Sequence, residues 1–189
     1  ALIGAVEAAS ADAGLHSLVL QTSGAHFCTG LDLSELPALS DADLLLRLVR
    51  IETLLAALWN APLRTVALAR GRAWGAGADL FAACEWRVAA PGTTLRFPGA
   101  QFGIVLGTRR LAERIGVDAA RRMVLEGGTL QADEALAAGL VTQIGDAVAP
   151  APLPVDGATA RAVRAATRAD RRDEDLAALV RSAAAPGLQ

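Results

Sequence analysis

Lysine and tyrosine are absent from this 189-residue chain, and aromatic residues make up only 4% of it. All 18 basic residues are therefore arginine, so any anion the chain holds must be met by guanidinium groups or backbone amides. The two cysteines, Cys28 and Cys84, lie in apolar contexts without CxxC spacing. That excludes a disulfide scaffold, gives zinc no ligand pattern and fits a reducing, cytoplasmic setting. No apolar run reaches the ~18 residues of a membrane span, and no secretory signal pattern is visible. Excess charge is scarce too: 18 basic against 20 acidic residues leave a net charge of −2. A nucleic-acid surface built on bulk positive charge is excluded. The arginine-rich stretch 161–172 is interleaved or followed by Asp170, Asp173, Glu174 and Asp175, which reads as a solvated helical face.

What is present is alanine and aliphatic residues, with 53% hydrophobic content, enough for one domain with a real core. Leu2, Ile3, Val6 and Ala9 recur at helical spacing and predict a helix over Ala1–Ala13. Leu44, Leu48, Ile51, Leu55 and Leu58 do the same over Asp41–Trp59, with Ser40 or Asp41 as N-cap and Asn60-Ala61-Pro62 as the stop. Short strands are predicted at Ser17–Thr22, Thr65–Ala69, Trp86–Ala90 and Thr94–Phe97, and a helix at Gly77–Cys84. This alternation predicts an α/β architecture with mainly parallel pairing. Helices are expected at Thr108–Ile115, Asp118–Leu125, Ala132–Ala138, Ala158–Thr167 and Asp173–Ala184. A proline-rich linker over 148–157 separates a core of residues 1–147 from a C-terminal helical segment, 158–189.

Two small-residue turns stand out, each after a strand. One is Gly24-Ala-His26-Phe27-Cys28-Thr29-Gly30-Leu31-Asp32; the other is Gly75-Ala76-Gly77-Ala78-Asp79-Leu80. The second opens a helix, so free amides and the helix dipole face any group placed before it. Two such donors aimed at one point would hold a developing oxyanion. At Phe27-Cys28-Thr29-Gly30-Leu31-Asp32-Leu33 and at Gly75–Leu80 the chain resembles the crotonase superfamily, the enoyl-CoA hydratase/isomerase family. The likeness continues through Cys84-Glu85-Trp86-Arg87-Val88 and through Gly128–Val141, covering roughly residues 1 to 147.

The resemblance implies a spiral of β-β-α units with C-terminal helices that build a homotrimer or dimer of trimers. It implies an acyl-CoA thioester as substrate, with coenzyme A entering as part of that substrate and no other cofactor. It puts the oxyanion donors on the backbone N–H groups of Leu31 and Ala76, and the acid/base on Asp79. Substrate contact is implied at Cys28, Gly30, Gly75, Gly77, Pro98 and Gly99. The segment from Ser34 to Ala42 would be a substrate-side loop. The family's N-terminal β-hairpin has no counterpart here, which implies that an N-terminal piece is not part of this sequence.

One departure bears on the reaction. Where the family's hydratases carry a second glutamate after a proline, Phe97-Pro98-Gly99-Ala100 offers Gly99, which transfers no proton. The glycine-rich stretch after it, Gly103–Leu111, is also shortened. Glu113 and Glu126 are the nearby carboxylates in sequence. A single placed carboxylate fits isomerisation, decarboxylation or thioester hydrolysis as well as hydration. A catalytically silent protein that binds coenzyme A esters is the alternative from another class. Other readings carry less. Asp32 reads as a loop or helix cap, Glu85 as a structural partner of Arg87 or of neighbouring backbone. His26 and Cys28 lack a third partner for nucleophilic catalysis. Gly75-x-Gly77 lacks both the third glycine and the later acid of a dinucleotide loop.

Overall fold

The computed structural model describes residues 1–32, 34, 38–146 and 151–184. Leu33, residues 35–37 of the expected substrate-side loop, residue 147 at the end of the expected core, 148–150 of the expected linker and 185–189 of the C-terminal segment lie outside the described residues. Four strands, β1 (Ser17–Gln21), β2 (Arg64–Ala69), β4 (Trp86–Ala89) and β7 (Gln143–Ile144), form an all-parallel sheet in the order β1-β2-β4-β7. Three more, β3 (Arg72–Trp74), β5 (Thr94–Arg96) and β6 (Thr129–Gln131), form a second sheet in the order β3-β5-β6. In it β3 and β5 run parallel, and β6 is antiparallel to β5.

Two successive turns of chain each give one strand to each sheet. β2 leads into β3 and then the helix α3 (Ala76–Ala83); β4 leads into β5 and then the helix α4 (Thr108–Ile115). The first turn does the same in miniature, β1 being followed by a single parallel bridge from Cys28 to Ala73. Strand, strand, helix therefore repeats as a spiral, the architecture that the resemblance implied. The inner strand β2 sits between two neighbours and is largely buried, whereas β1, at the edge, is half exposed.

Between the sheets and the helices lies a core of alanine and larger aliphatic residues, among them Ala67, Ala69, Phe81, Leu95, Leu111, Leu140 and Val141. Small residues let the backbones approach, and Phe81 and the leucines fill what remains. The helices α1 (Leu2–Ala11) and α2 (Asp41–Trp59) close the other side of α3, where Val6, Leu54, Leu55 and Leu58 meet Leu80 and Ala83. The Ser40 hydroxyl caps α2 by accepting from the Asp43 amide.

After α4 come α5 (Val117–Glu126), α6 (Ala132–Ala137), α7 (Gly157–Thr167) and α8 (Arg172–Ala183). Both terminal helices are tied to the core by charge. The Glu85 carboxylate accepts from Arg164 and Arg168 of the C-terminal segment, at 2.6 and 2.7 Å. Glu85 is thus a structural partner, but its carboxylate goes to Arg164 and Arg168, while Arg87 donates to the Glu85 carbonyl and to those of Cys84, Gly139 and Leu140. No helix among the described residues is long and apolar enough to cross a membrane.

Candidate active site

The two small-residue turns meet because their backbones are laced together. The Phe27 amide donates to the Arg70 carbonyl, the Cys28 amide to Arg72, and the Trp74 amide back to Cys28. Gly77 allows the final approach: a Cβ there would stand 2.1 Å from the Cys28 carbonyl oxygen and 2.6 Å from its carbon. The result sets Gly30 beside Gly75 and Ala76. A Cβ built on Gly30 would be 3.5 Å from the Ala76 nitrogen and 3.6 Å from the Gly75 Cα.

Gly30, Leu31, Gly75 and Ala76 line one cavity of about 200 Å³, and Asp79 lines it too. Ala76 is the first residue of α3, so its amide has no carbonyl one turn earlier in the helix to bond. Among the described residues, neither the Leu31 nor the Ala76 amide donates to a protein acceptor. Pro98 and Gly99 line it as well: Pro98 is beside Gly75, whose added Cβ would be 4.0 Å from Pro98 Cγ, and Gly99 opens a 3-10 turn, Gly99–Phe102. Apart from Thr29 and Thr108 the rest of the lining is apolar, with Leu44, Leu48 and Ile51 from α2 and Phe97, Ile104 and Leu106 among its residues.

Two residues expected at the substrate do not line this cavity. Cys28 and Gly77 sit behind the wall, where their contact fastens one turn to the other. Their contact is backbone packing: the Cys28 carbonyl fills the space that a side chain on Gly77 would need.

Asp79 is 7% exposed, in the first turn of α3. Burial holds its carboxyl well above the usual carboxylate range, the Arg110 guanidinium pulls it back down, and Glu52 pushes it up again. The carboxylate packs on Gly107, the residue before α4; a Cβ there would lie 2.2 Å from Asp79 Oδ1. Behind this contact is an ionic group that no motif announced. Arg110 is 1% exposed, and its guanidinium grips both Glu52 oxygens at 2.6 and 3.1 Å and reaches Asp175 of α8 at 3.0 Å. Arg109 holds the same Asp175 through two hydrogen bonds, at 2.8 and 2.6 Å. A sequence signal for this group existed: Glu52 falls four residues after Leu48 and three before Leu55, a charge inside the apolar stripe of α2.

No second carboxylate lines the cavity among the described residues. Glu113 pairs with Arg109 on α4, Glu126 is exposed at the end of α5, and neither faces the cavity. Asp32 is an acceptor for the Ser34 amide and hydroxyl, a loop cap as expected. His26 accepts from the Arg72 amide. No group of three or more His, Cys, Asp or Glu side chains that could hold a metal ion occurs among the described residues.

A family model described as enoyl-CoA hydratase/isomerase matches residues 1–166. Over 131 residues the chain is 34% identical to the enoyl-CoA isomerase/hydratase fer4 of Mycosarcoma maydis, covering 67% of this chain and 48% of that protein. It is 33% identical over 127 residues to an ethylmalonyl-CoA decarboxylase of Gallus gallus, covering 65% of this chain and 43% of that one. The chain thus spans about half the length of these curated relatives. Among solved structures, a Bordetella parapertussis protein described as an enoyl-CoA hydratase/isomerase superposes with a TM-score of 0.90 at 41% identity, over 99% of this chain and 82% of that one.

Proposed function

This chain belongs to the enoyl-CoA hydratase/isomerase family, and from that premise we propose that it moves a proton within an acyl-CoA thioester whose enolate it stabilises. The observation that carries the reading is that Leu31, Ala76 and Asp79, alone among the described carboxylates, line one largely apolar cavity. In the proposed reaction the thioester oxygen of a 3-enoyl-CoA accepts hydrogen bonds from the Leu31 and Ala76 amides. Ionised Asp79 takes a proton from the α carbon, and the electrons pass through the thioester to that oxygen as a dienolate. Neutral Asp79 then returns the proton to the γ carbon, leaving the double bond conjugated with the thioester. Each amide of such a pair is worth ~3–4 kcal/mol of barrier.

One group that both removes and returns the proton suits Asp79, because burial raises its proton affinity. Gly99, standing where hydratases carry their second acid, favours this shift of a double bond over the two-carboxylate addition of water. Coenzyme A enters with the substrate and no other cofactor is part of the proposal. A homotrimer or dimer of trimers in the cytoplasm completes it; sedimentation reading a lone chain would remove the trimer.

The test is to supply 3-hexenoyl-CoA and follow the ultraviolet absorbance of the conjugated product. We expect turnover by the wild type, and its loss in Asp79→Asn with ligand affinity kept within a few fold. Turnover that survives in Asp79→Asn removes Asp79 from the mechanism. Tight binding without turnover of 3-enoyl or 2-enoyl thioesters by the wild type would instead mark a silent coenzyme A ester-binding protein.

A further inference from the structure

The chemistry of the cavity wall also bears on which acyl groups fit. We propose that the cavity accepts acyl groups uncharged to their tips and rejects those that end in a second carboxylate. This rests on the acyl-CoA reading above and deepens it.

Among the described residues, the only polar side chains in the lining are those of Thr29, Asp79 and Thr108, and none is cationic. Arg96, next to Phe97, holds its guanidinium over the Trp74 ring at 5.9 Å and is outside the lining; the arginines behind Asp79 are engaged elsewhere. Arg110 lies behind Asp79 with its guanidinium on Glu52 and Asp175, and Arg109 is bound to Asp175 and Glu113. Arg47, on α2, acts on Asp32, and both are outside the lining. A carboxylate carried in on an acyl tail would lose its water and gain no cation. It would also share a small low-dielectric space with Asp79, a like charge. The two effects have the same sign. An aliphatic tail meets the opposite situation: Leu48, Ile51 and Phe102 line the wall, and leaving water for it is favourable. Discrimination here comes from what the wall refuses as much as from what it attracts.

The experiment compares two unreactive thioesters with the same number of acyl heavy atoms and the same terminal branching, 4-methylpentanoyl-CoA and succinyl-CoA. Calorimetry gives the dissociation constant of each for the wild type and for Asp79→Asn. The wild type is expected to bind the 4-methylpentanoyl ester about a hundredfold or more tighter, the range that burying an unpaired charge commands. In Asp79→Asn the gap should narrow by several fold, since the like charge is gone and the desolvation remains. Equal affinities within threefold, or tighter binding of succinyl-CoA, would overturn this inference while leaving the acyl-CoA reading in place. Failure of both esters to bind would overturn the acyl-CoA reading itself.

Discussion

Substituting alanine at Gly107 tests whether the position of the Asp79 carboxylate matters to the chemistry. Gly107 has φ +67°, a backbone region in which an L side chain costs roughly 1–2 kcal/mol. Its added methyl would stand 2.2 Å from Asp79 Oδ1, 2.6 Å from Cγ and 2.9 Å from Cβ, all inside contact distance. Either α4 or the Asp79 side chain must then move by about the order of an ångström, and overpacking of this kind costs ~1–3 kcal/mol. Gly92→Ala and Gly116→Ala provide the control, because these glycines have φ +76° and +83° but nothing within 4 Å of an added Cβ. They carry the backbone penalty alone. We expect Gly107→Ala to lose about 2–5 kcal/mol of stability. We also expect its kcat/KM for enoyl-CoA to fall by about a hundredfold, as misplacement of a catalytic group by an ångström can do. The controls should lose stability and keep their kcat/KM. Denaturant melts and initial rates on all three proteins decide the matter. A Gly107→Ala enzyme as fast as the controls would refute the idea that this contact sets the carboxylate for catalysis.

Three further outcomes follow from the same geometry. Gly77→Ala drives a methyl into the Cys28 carbonyl, a backbone group with little freedom to yield, so it should destabilise by about 3 kcal/mol or more and abolish thioester binding; a thermal melt and calorimetry check both. Because folding raises the proton affinity of Asp79, its contribution to stability is fully present only below the ~3.9 of an unfolded aspartate and is lost as pH climbs to the raised folded value. Asp79→Asn should therefore gain on the wild type in melts taken from pH 4 upward, and a pH-independent difference would contradict the buried-charge argument. Glu52→Gln leaves Arg110 buried with half its pairing, a loss of about 3–5 kcal/mol, whereas Glu52→Leu with Arg110→Met together should recover most of it; equal losses in the single and double variants would show that the charges are not coupled.

Local chemistry made much of this legible before any coordinates. The stripe from Leu44 to Leu58 could hardly be anything but a helix, and it runs Asp41–Trp59 as expected. The two turns and Asp79 were readable because amide-rich bends before a helix are written in contiguous residues. What was not legible is what the fold brings together from afar. β3, β6 and β7 are two or three residues long, too short for an alternating pattern to register. Gly107 meets Asp79 across 28 positions of chain, and nothing near either residue records the meeting. Cys28 and Gly77 stand 49 positions apart, and neither motif records that the fold presses one against the other. Glu52 was the missed clue, a lone acid on a greasy face.

The helix α8 shares its inner surface with the cavity that Asp79 lines. Leu179 of α8 is fully buried against Leu48 and Ile104, both of which line that cavity, and the Ser182 hydroxyl accepts from the Val105 amide beside them. A protease nick near residue 170, or a fusion partner that pries this helix loose, would thus act like a wedge behind plaster. It would slacken substrate selectivity from the outside without altering a single residue that meets the substrate.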